Sequence, residues 1–248
     1  MASLILTPNA FGQIIAFEDF DNDMNLTSFT NNIPDGAFTN AGDGFGEFTR
    51  SVDESIPFNI GDDSVTPSAV DQMPFSEDEN GFLGASEDFN TIFGITDTVN
   101  PDQMEIVTDA TIGTWTFNIT SATGPLEVQA DFAAFEDWSG STVDSSADFF
   151  YQIDDGDFVP LFTSSIDFGG TRTAVMDSGT EVTFDDPINI IADGTTFEIT
   201  DDFQTISASV EGLGDSLSIQ VRAILDGGES FGLDNLRVVQ TAAIPEPS

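Results

Sequence analysis

The sequence predicts an all-β protein built as one antiparallel sandwich, and three observations lead there. Short segments that alternate apolar and polar residues recur along the whole 248-residue chain, separated by Gly, Asn, Asp and Pro, while helical periodicity is hard to find. Twenty-four Phe residues sit inside those segments and argue against the disorder that 39% hydrophobic content and a net charge of -41 would otherwise invite. About a dozen such strands suit one sandwich better than two small domains.

In chain order, the first strand is Ile14 to Glu18, followed by Phe45 to Arg50, Thr91 to Ile95, Met104 to Val107 and Thr114 to Ile119. Leu126 to Phe132 is the plainest, with Leu126, Val128, Ala130 and Phe132 on one face and Glu127, Gln129 and Asp131 on the other. Asp148 to Ile153 and Phe158 to Phe162 form a hairpin, because Asp154, Asp155, Gly156 and Asp157 between them tolerate positive φ. Glu181 to Phe184, Phe197 to Thr200, Thr205 to Val210, Leu217 to Ala223 and Phe231 to Val239 complete the set. Residues 53–90, rich in acid, Pro and Gly, read as long loops over one end. The sandwich spans residues 14–240. Met1 to Gln13 reads as an N-terminal arm or the remnant of a signal peptide, and residues 241–248 as a short tail.

Composition removes whole classes of function. Forty-five Asp and Glu face four Arg, with no Lys, and that balance excludes nucleic-acid binding through a basic surface. Without Cys or His there is no disulfide framework, no thiolate or imidazole metal site and no Ser-His or Cys-His catalysis. No stretch approaches the ~20 apolar residues of a membrane span, so no membrane insertion is expected. Spread evenly, the charge lies about 16 Å apart on ~11,000 Å² of surface, beyond the ~10 Å screening length at 0.1 M salt. The acids are bunched, however, and bunches need salt or hard cations.

Asp19, Asp21 and Asp23 have the alternate spacing of a Ca²⁺ loop, although Met24 stands where an EF-hand needs Gly and Thr30 where it needs Glu. If the first and last strands are neighbours, Glu18 and Asp234 also approach each other, and Ca²⁺ takes six to eight oxygens. Strict alternation places Asp234 with Gly232, Leu236 and Val238 on an apolar face, where a cation or hydrogen bonds must compensate its charge. Among the aromatics, Trp138 lies in the polar segment Glu136-Asp137-Trp138-Ser139-Gly140 and is the candidate sugar platform. Trp115, in an alternating strand, is assigned to the core. Carboxylate pairs are so many that none stands out as a glycosidase dyad.

Two resemblances add to these residues. Ala16-Phe17-Glu18-Asp19 and Phe231-Gly232-Leu233-Asp234-Asn235-Leu236-Arg237-Val238 resemble the opening and closing strands of jelly-roll carbohydrate-binding modules. The sequence departs from them at Ile15 and Ala16, where Gly is usual, and at Asn235, where a second Asp is usual. The resemblance implies a jelly-roll β-sandwich with a structural Ca²⁺ held by Glu18 and Asp234. Thr241 to Ser248, with Pro245-Glu246-Pro247, resembles the opening of a PEP-CTERM sorting signal. That resemblance implies a hydrophobic segment and basic residues beyond Ser248, and export to the cell surface or extracellular matrix of a Gram-negative bacterium that makes exopolysaccharide.

The expected function is therefore a non-catalytic, exported, Ca²⁺-stabilised protein that binds carbohydrate or exopolysaccharide, with neutral or cationic glycans preferred over acidic ones unless Ca²⁺ bridges them. The alternative is a self-assembling structural protein whose arm pairs with a neighbour's sheet edge. A carboxylate-dependent glycoside hydrolase is the third class.

Overall fold

The computed structural model describes residues 12–33, 44–49, 56–57, 82–83, 91–96, 98, 110–135, 137–139, 145–175, 181–225 and 229–241. The expected strand Met104 to Val107, most of the acidic stretch 53–90, the arm before residue 12 and the tail after Thr241 lie outside them. The fold is an antiparallel β-sandwich of jelly-roll type. No helix among the described residues is long and apolar enough to cross a membrane.

Sheet A contains β1 (Gln13–Glu18), β2 (Asp23–Met24), β4 (Gly44–Thr49), β7 (Thr91–Thr96), β9 (Leu126–Phe135), β16 (Gln204–Val210) and β18 (Ser230–Gln240). Sheet B runs in the order β15 (Thr195–Glu198), β14 (Ile188–Ala192), β11 (Val159–Ile166), β10 (Ser146–Ile153), β17 (Ser216–Ile224), β8 (Thr111–Asn118) and β3 (Leu26–Asn31). Two further two-stranded sheets pair β5 (Ile56–Pro57) with β6 (Phe82–Leu83) and β12 (Thr171–Val175) with β13 (Glu181–Asp185). Successive strands β8, β9 and β10, and again β16, β17 and β18, cross between the sheets, which brings β1 beside β18.

Sheet A has a split centre. The first half of β18 pairs with β7 and the second half with β1, while β9 runs along its other side. Between the halves the register shifts by one residue, and Asn235 takes φ +49°. This is a β-bulge, and one extra residue inverts the alternation beyond it. Phe231, Leu233, Leu236 and Val238 all face the core, and Asp234 turns to the other face of the sheet with Arg237, although it is buried there. The expectation that Asp234 shares a face with Leu236 and Val238 is thereby corrected, because alternation through the segment assumed an unbroken ladder.

The core is aromatic at both ends of the sandwich. Phe132 packs against Phe149, Phe162 and Phe231 with ring centroids 5.1 to 5.5 Å apart. Trp115 meets Phe93 at 4.9 Å and Phe29 at 5.0 Å, in line with its assignment to the core. Gly113 on β8 makes this second cluster possible, since a Cβ there would stand 3.0 Å from the Phe45 ring and 3.2 Å from Phe29. Each fully buried Phe is worth roughly 1.5–3 kcal/mol of transfer free energy.

The hairpin expected from Phe149 to Phe162 forms as β10 and β11, with Asp154 at φ +49° in its turn. Its Oδ1 accepts hydrogen bonds from Ser216 N at 2.8 Å and Asp215 N at 2.9 Å, which hold the carboxyl below the usual range and tie the turn to β17. Strands β2, β3, β5, β6, β12 and β14 were not anticipated, and β5 and β6 fall in the stretch expected to be loops. For β14 and β15 the signal was present: Asp193 and Gly194, at φ +48° and +75°, make a two-residue turn of the mirror-image type that Asp-Gly favours.

Candidate binding face and acidic corner

The outward face of sheet B is the first candidate. Alternation fixes it, because Ala147, Phe149 and Tyr151 on β10, Leu217, Ile219 and Val221 on β17, and Trp115 and Phe117 on β8 all point into the core. Their neighbours Ser146, Asp148, Phe150 and Gln152 must then lie on the outer side of the sheet, as must Ser216, Ser218, Gln220 and Arg222, and Ile112, Thr114, Thr116 and Asn118, although Ser218 and Gln220 are themselves buried there beneath their neighbours. Asp148 is the one acid among these twelve positions, in a chain with 45 Asp and Glu. Hydroxyl and amide groups replace the acidic skin there.

Those groups are tied to one another. Thr116 Oγ1 and Ser218 Oγ are 3.0 Å apart, and Gln220 Nε2 donates to Thr114 Oγ1 at 3.1 Å. Gln220 Oε1 in turn accepts from Arg222 Nε at 2.7 Å. The Arg222 guanidinium lies over the Phe150 ring, 4.2 Å from its centroid, with Phe158 at 5.8 Å. Directly across the β10–β17 ladder stands Asp148, but its Oδ1 accepts from Ser164 N at 2.7 Å and Ser164 Oγ at 2.8 Å instead. The face is thus a rigid array of hydroxyl and amide groups beside a half-buried aromatic ring, a surface suited to a polar ligand with many hydroxyls. No single residue in the sequence announced it. The signal was the absence of acid from the outward positions of three consecutive strands in the sheet.

The second candidate is the corner where β1 turns into β2. Glu18 pairs with Leu236 on one side and Asp23 on the other, and its parity with Ala16 turns its side chain inward at the end of the core. Only 7% of it is exposed, and Oε1 accepts from Phe20 N at 2.7 Å. Burial pushes the Glu18 carboxyl up to about 7, and the neighbouring charges of Glu47, Asp23 and Asp19 add to the effect against the opposing Phe20 hydrogen bond. Asp19 Oδ1 accepts from Asp21 N and Asn22 N, closing the turn. Asp21 reaches β7, where its carboxylate accepts from Thr91 N at 3.3 Å and Thr91 Oγ1 at 3.1 Å.

The expected metal ligands therefore do not form one set. Glu18, Asp19 and Asp23 gather at this corner, Asp21 is engaged with Thr91, and Asp234 lies on the opposite face of sheet A with Oδ1 on Asn235 N at 2.7 Å. Among the described residues, no three acidic side chains converge closely enough to hold a metal ion. Trp138 also departs from expectation. Its polar sequence neighbours suggested an exposed ring, but it is fully buried, stacked edge-on against Phe231, and its Nε1 donates to Phe135 O at 3.2 Å. A ring so enclosed offers no face to a sugar.

No protein-family model matches the chain, and no curated protein matches it either. Among solved structures, the chain is similar to TmCBM61 in complex with β-1,4-galactotriose at 8% identity and a TM-score of 0.29, covering 60% of this chain and 70% of that one. It is similar to the CBM22-1 xylan-binding domain from Paenibacillus barcinonensis Xyn10C at 8% identity and a TM-score of 0.25, covering 62% and 82%. A third likeness, to the Agl-KA catalytic domain, has 15% identity and a TM-score of 0.30, and covers 88% of this chain but 31% of that one. The fold assignment rests on the strand pairing itself.

Proposed function

We propose that the chain is a non-catalytic carbohydrate-binding sandwich that takes its ligand on the outer face of sheet B. One observation carries this: the outward positions of β8, β10 and β17 hold hydroxyls, amides, a half-buried Phe and an Arg with a single acid, in a chain whose net charge is -41. Sugar hydroxyls both donate and accept, so Thr114 and Thr116, held from below by the buried Gln220 and Ser218, match them, and the apolar face of a pyranose can rest on Phe150. Ca²⁺ is proposed to stabilise the fold near the Glu18 corner, drawn by the like charges of Glu47, Asp23 and Asp19 around Glu18 and not held by a preformed set of three carboxylates. Export to a cell surface or matrix is proposed from the Pro245-Glu246-Pro247 resemblance alone.

The test is a glycan array probed with the monomer, run beside a reducing-end assay on every polysaccharide that binds. Binding without release of reducing ends supports the proposal, and an array with no binding above background overturns it.

The raised Glu18 carboxyl favours one competing reading. A carboxylic acid that keeps its proton near pH 7 beside other carboxylates has the protonation profile of a glycosidase's general acid. Release of reducing ends that disappears in Glu18→Gln would establish that reading instead.

A further inference from the structure

Arg222 is one of only four basic residues, yet it does not pair with an acid among the described residues. Their one salt bridge is Arg237 to Asp131, at 3.1 Å. The direct cross-strand neighbour of Arg222 is Asp148, and that carboxylate is turned away onto Ser164. In a chain with 45 acids, a guanidinium needed only for stability has partners at hand. Arg222 is instead held by its flat face and by one nitrogen, with Phe150 beneath, Phe158 beside it and Gln220 Oε1 on Nε. The two Nη groups make no hydrogen bond within the described residues. A planar fork fixed by stacking, with its outer edge open, is the arrangement that receives a carboxylate through two parallel hydrogen bonds.

We infer that Arg222 reads a carboxylate on the glycan, so that the ligand of the sheet B face carries an isolated uronic acid on an otherwise neutral chain. The inference rests on the carbohydrate reading of that face and sharpens it. Isolation of the charge matters because the two electrostatic effects have different ranges. Repulsion from the acidic surface acts over the screening length of about 10 Å and grows with every charge on the polymer, whereas the Arg222 contact is local and takes one carboxylate. A densely charged polymer is repelled, and a sparsely charged one is recognised. The simple expectation of neutral glycans, drawn from net charge, overlooks the one cation on the acid-poor face.

The competing account makes Arg222 a cover for two Phe rings. Arg222→Met separates the two, since its unbranched stem still covers Phe150 but carries neither charge nor fork. Titration calorimetry would compare a glucuronate-branched polysaccharide with the same polymer after carboxyl reduction, in EDTA. The wild type is expected to bind the acidic form about tenfold more tightly than the reduced one, and Arg222→Met to bind both forms equally. Arg222→Lys, with charge but no fork, should lose part of the preference. Equal binding of both polymers by the wild type, or full preference retained in either variant, overturns the role of Arg222 and leaves the carbohydrate reading standing. No binding of either polymer overturns both.

Discussion

Glu18 and Asp234 lie on opposite faces of one sheet, although their strands are paired and Glu18 stands opposite Leu236, two residues from Asp234. The bulge at Asn235 causes the separation by adding one residue between Leu233 and Leu236, both of which reach the core. The two carboxylates therefore make separate contributions. Glu18 sits in a buried acidic corner, and Asp234, buried as well, stands across the ladder from Asp131 on the other face of the sheet.

Calcium should act through the Glu18 corner. Millimolar CaCl₂ is expected to raise Tm by several degrees more than NaCl of matched ionic strength, because an ion bound to the native state stabilises it by mass action. Glu18→Gln should remove most of that increment and Asp234→Ala little of it. Differential scanning calorimetry checks both, and an increment lost in Asp234→Ala but kept in Glu18→Gln would place the ion on the other face.

The titration of Glu18 gives a second expectation, with a definite sign. Its carboxyl has an ordinary value of 4.5 and is raised to about 7 in the folded chain, so between those values the native state holds a proton that the unfolded chain has released. Stability from this group is present below pH 4.5 and is lost as pH rises through 7. In EDTA, the fall in Tm from pH 5 to pH 7.5 should be smaller in Glu18→Gln than in the wild type. Deprotonation also prepares the corner for a cation, so the calcium increment should grow over the same interval. Identical pH profiles for the two proteins would show that Glu18 titrates normally.

Asn235 holds the bulge in a left-handed conformation that β-branched residues resist. Asn235→Val should cost about 1–2 kcal/mol in urea unfolding, and Asn235→Gly should be close to neutral. A neutral Val variant would mean that the chain can realign without the bulge.

Trp138 should prove structural. Trp138→Ala is expected to cost about 3–5 kcal/mol through the cavity against Phe231, and Trp138→Phe less, with glycan affinity unchanged while the protein stays folded. A stable Trp138→Ala protein with weakened glycan binding would reverse the assignment.

Most of the sandwich was legible because period-two alternation is a local property. Leu126 to Phe132 and Leu217 to Ala223 fall where the pattern placed them. What alternation alone does not register is an inserted residue, so the bulge at Asn235 passed unseen and Asp234 was placed on the wrong face. Strand β3 escaped for another reason: Leu26 to Asn31 is an edge strand, and most of its residues are exposed whichever way they point. Trp138 misled because its polar neighbours describe the loop and not the direction of the ring. The sheet B face depends on three strands aligned by tertiary pairing, so its Thr, Ser and Gln residues look ordinary until the register brings them side by side.

The most direct test is a steric one. Thr116 faces outward on β8 beside Ser218, and Thr116→Trp should fill the middle of the face while leaving the core untouched, since Trp is well tolerated in strands. Titration calorimetry against a polysaccharide selected on the array should show binding by the wild type and a loss of at least about tenfold in Thr116→Trp, with Tm within a few degrees. Unchanged affinity in a folded Thr116→Trp protein would contradict the placement of the carbohydrate site on sheet B.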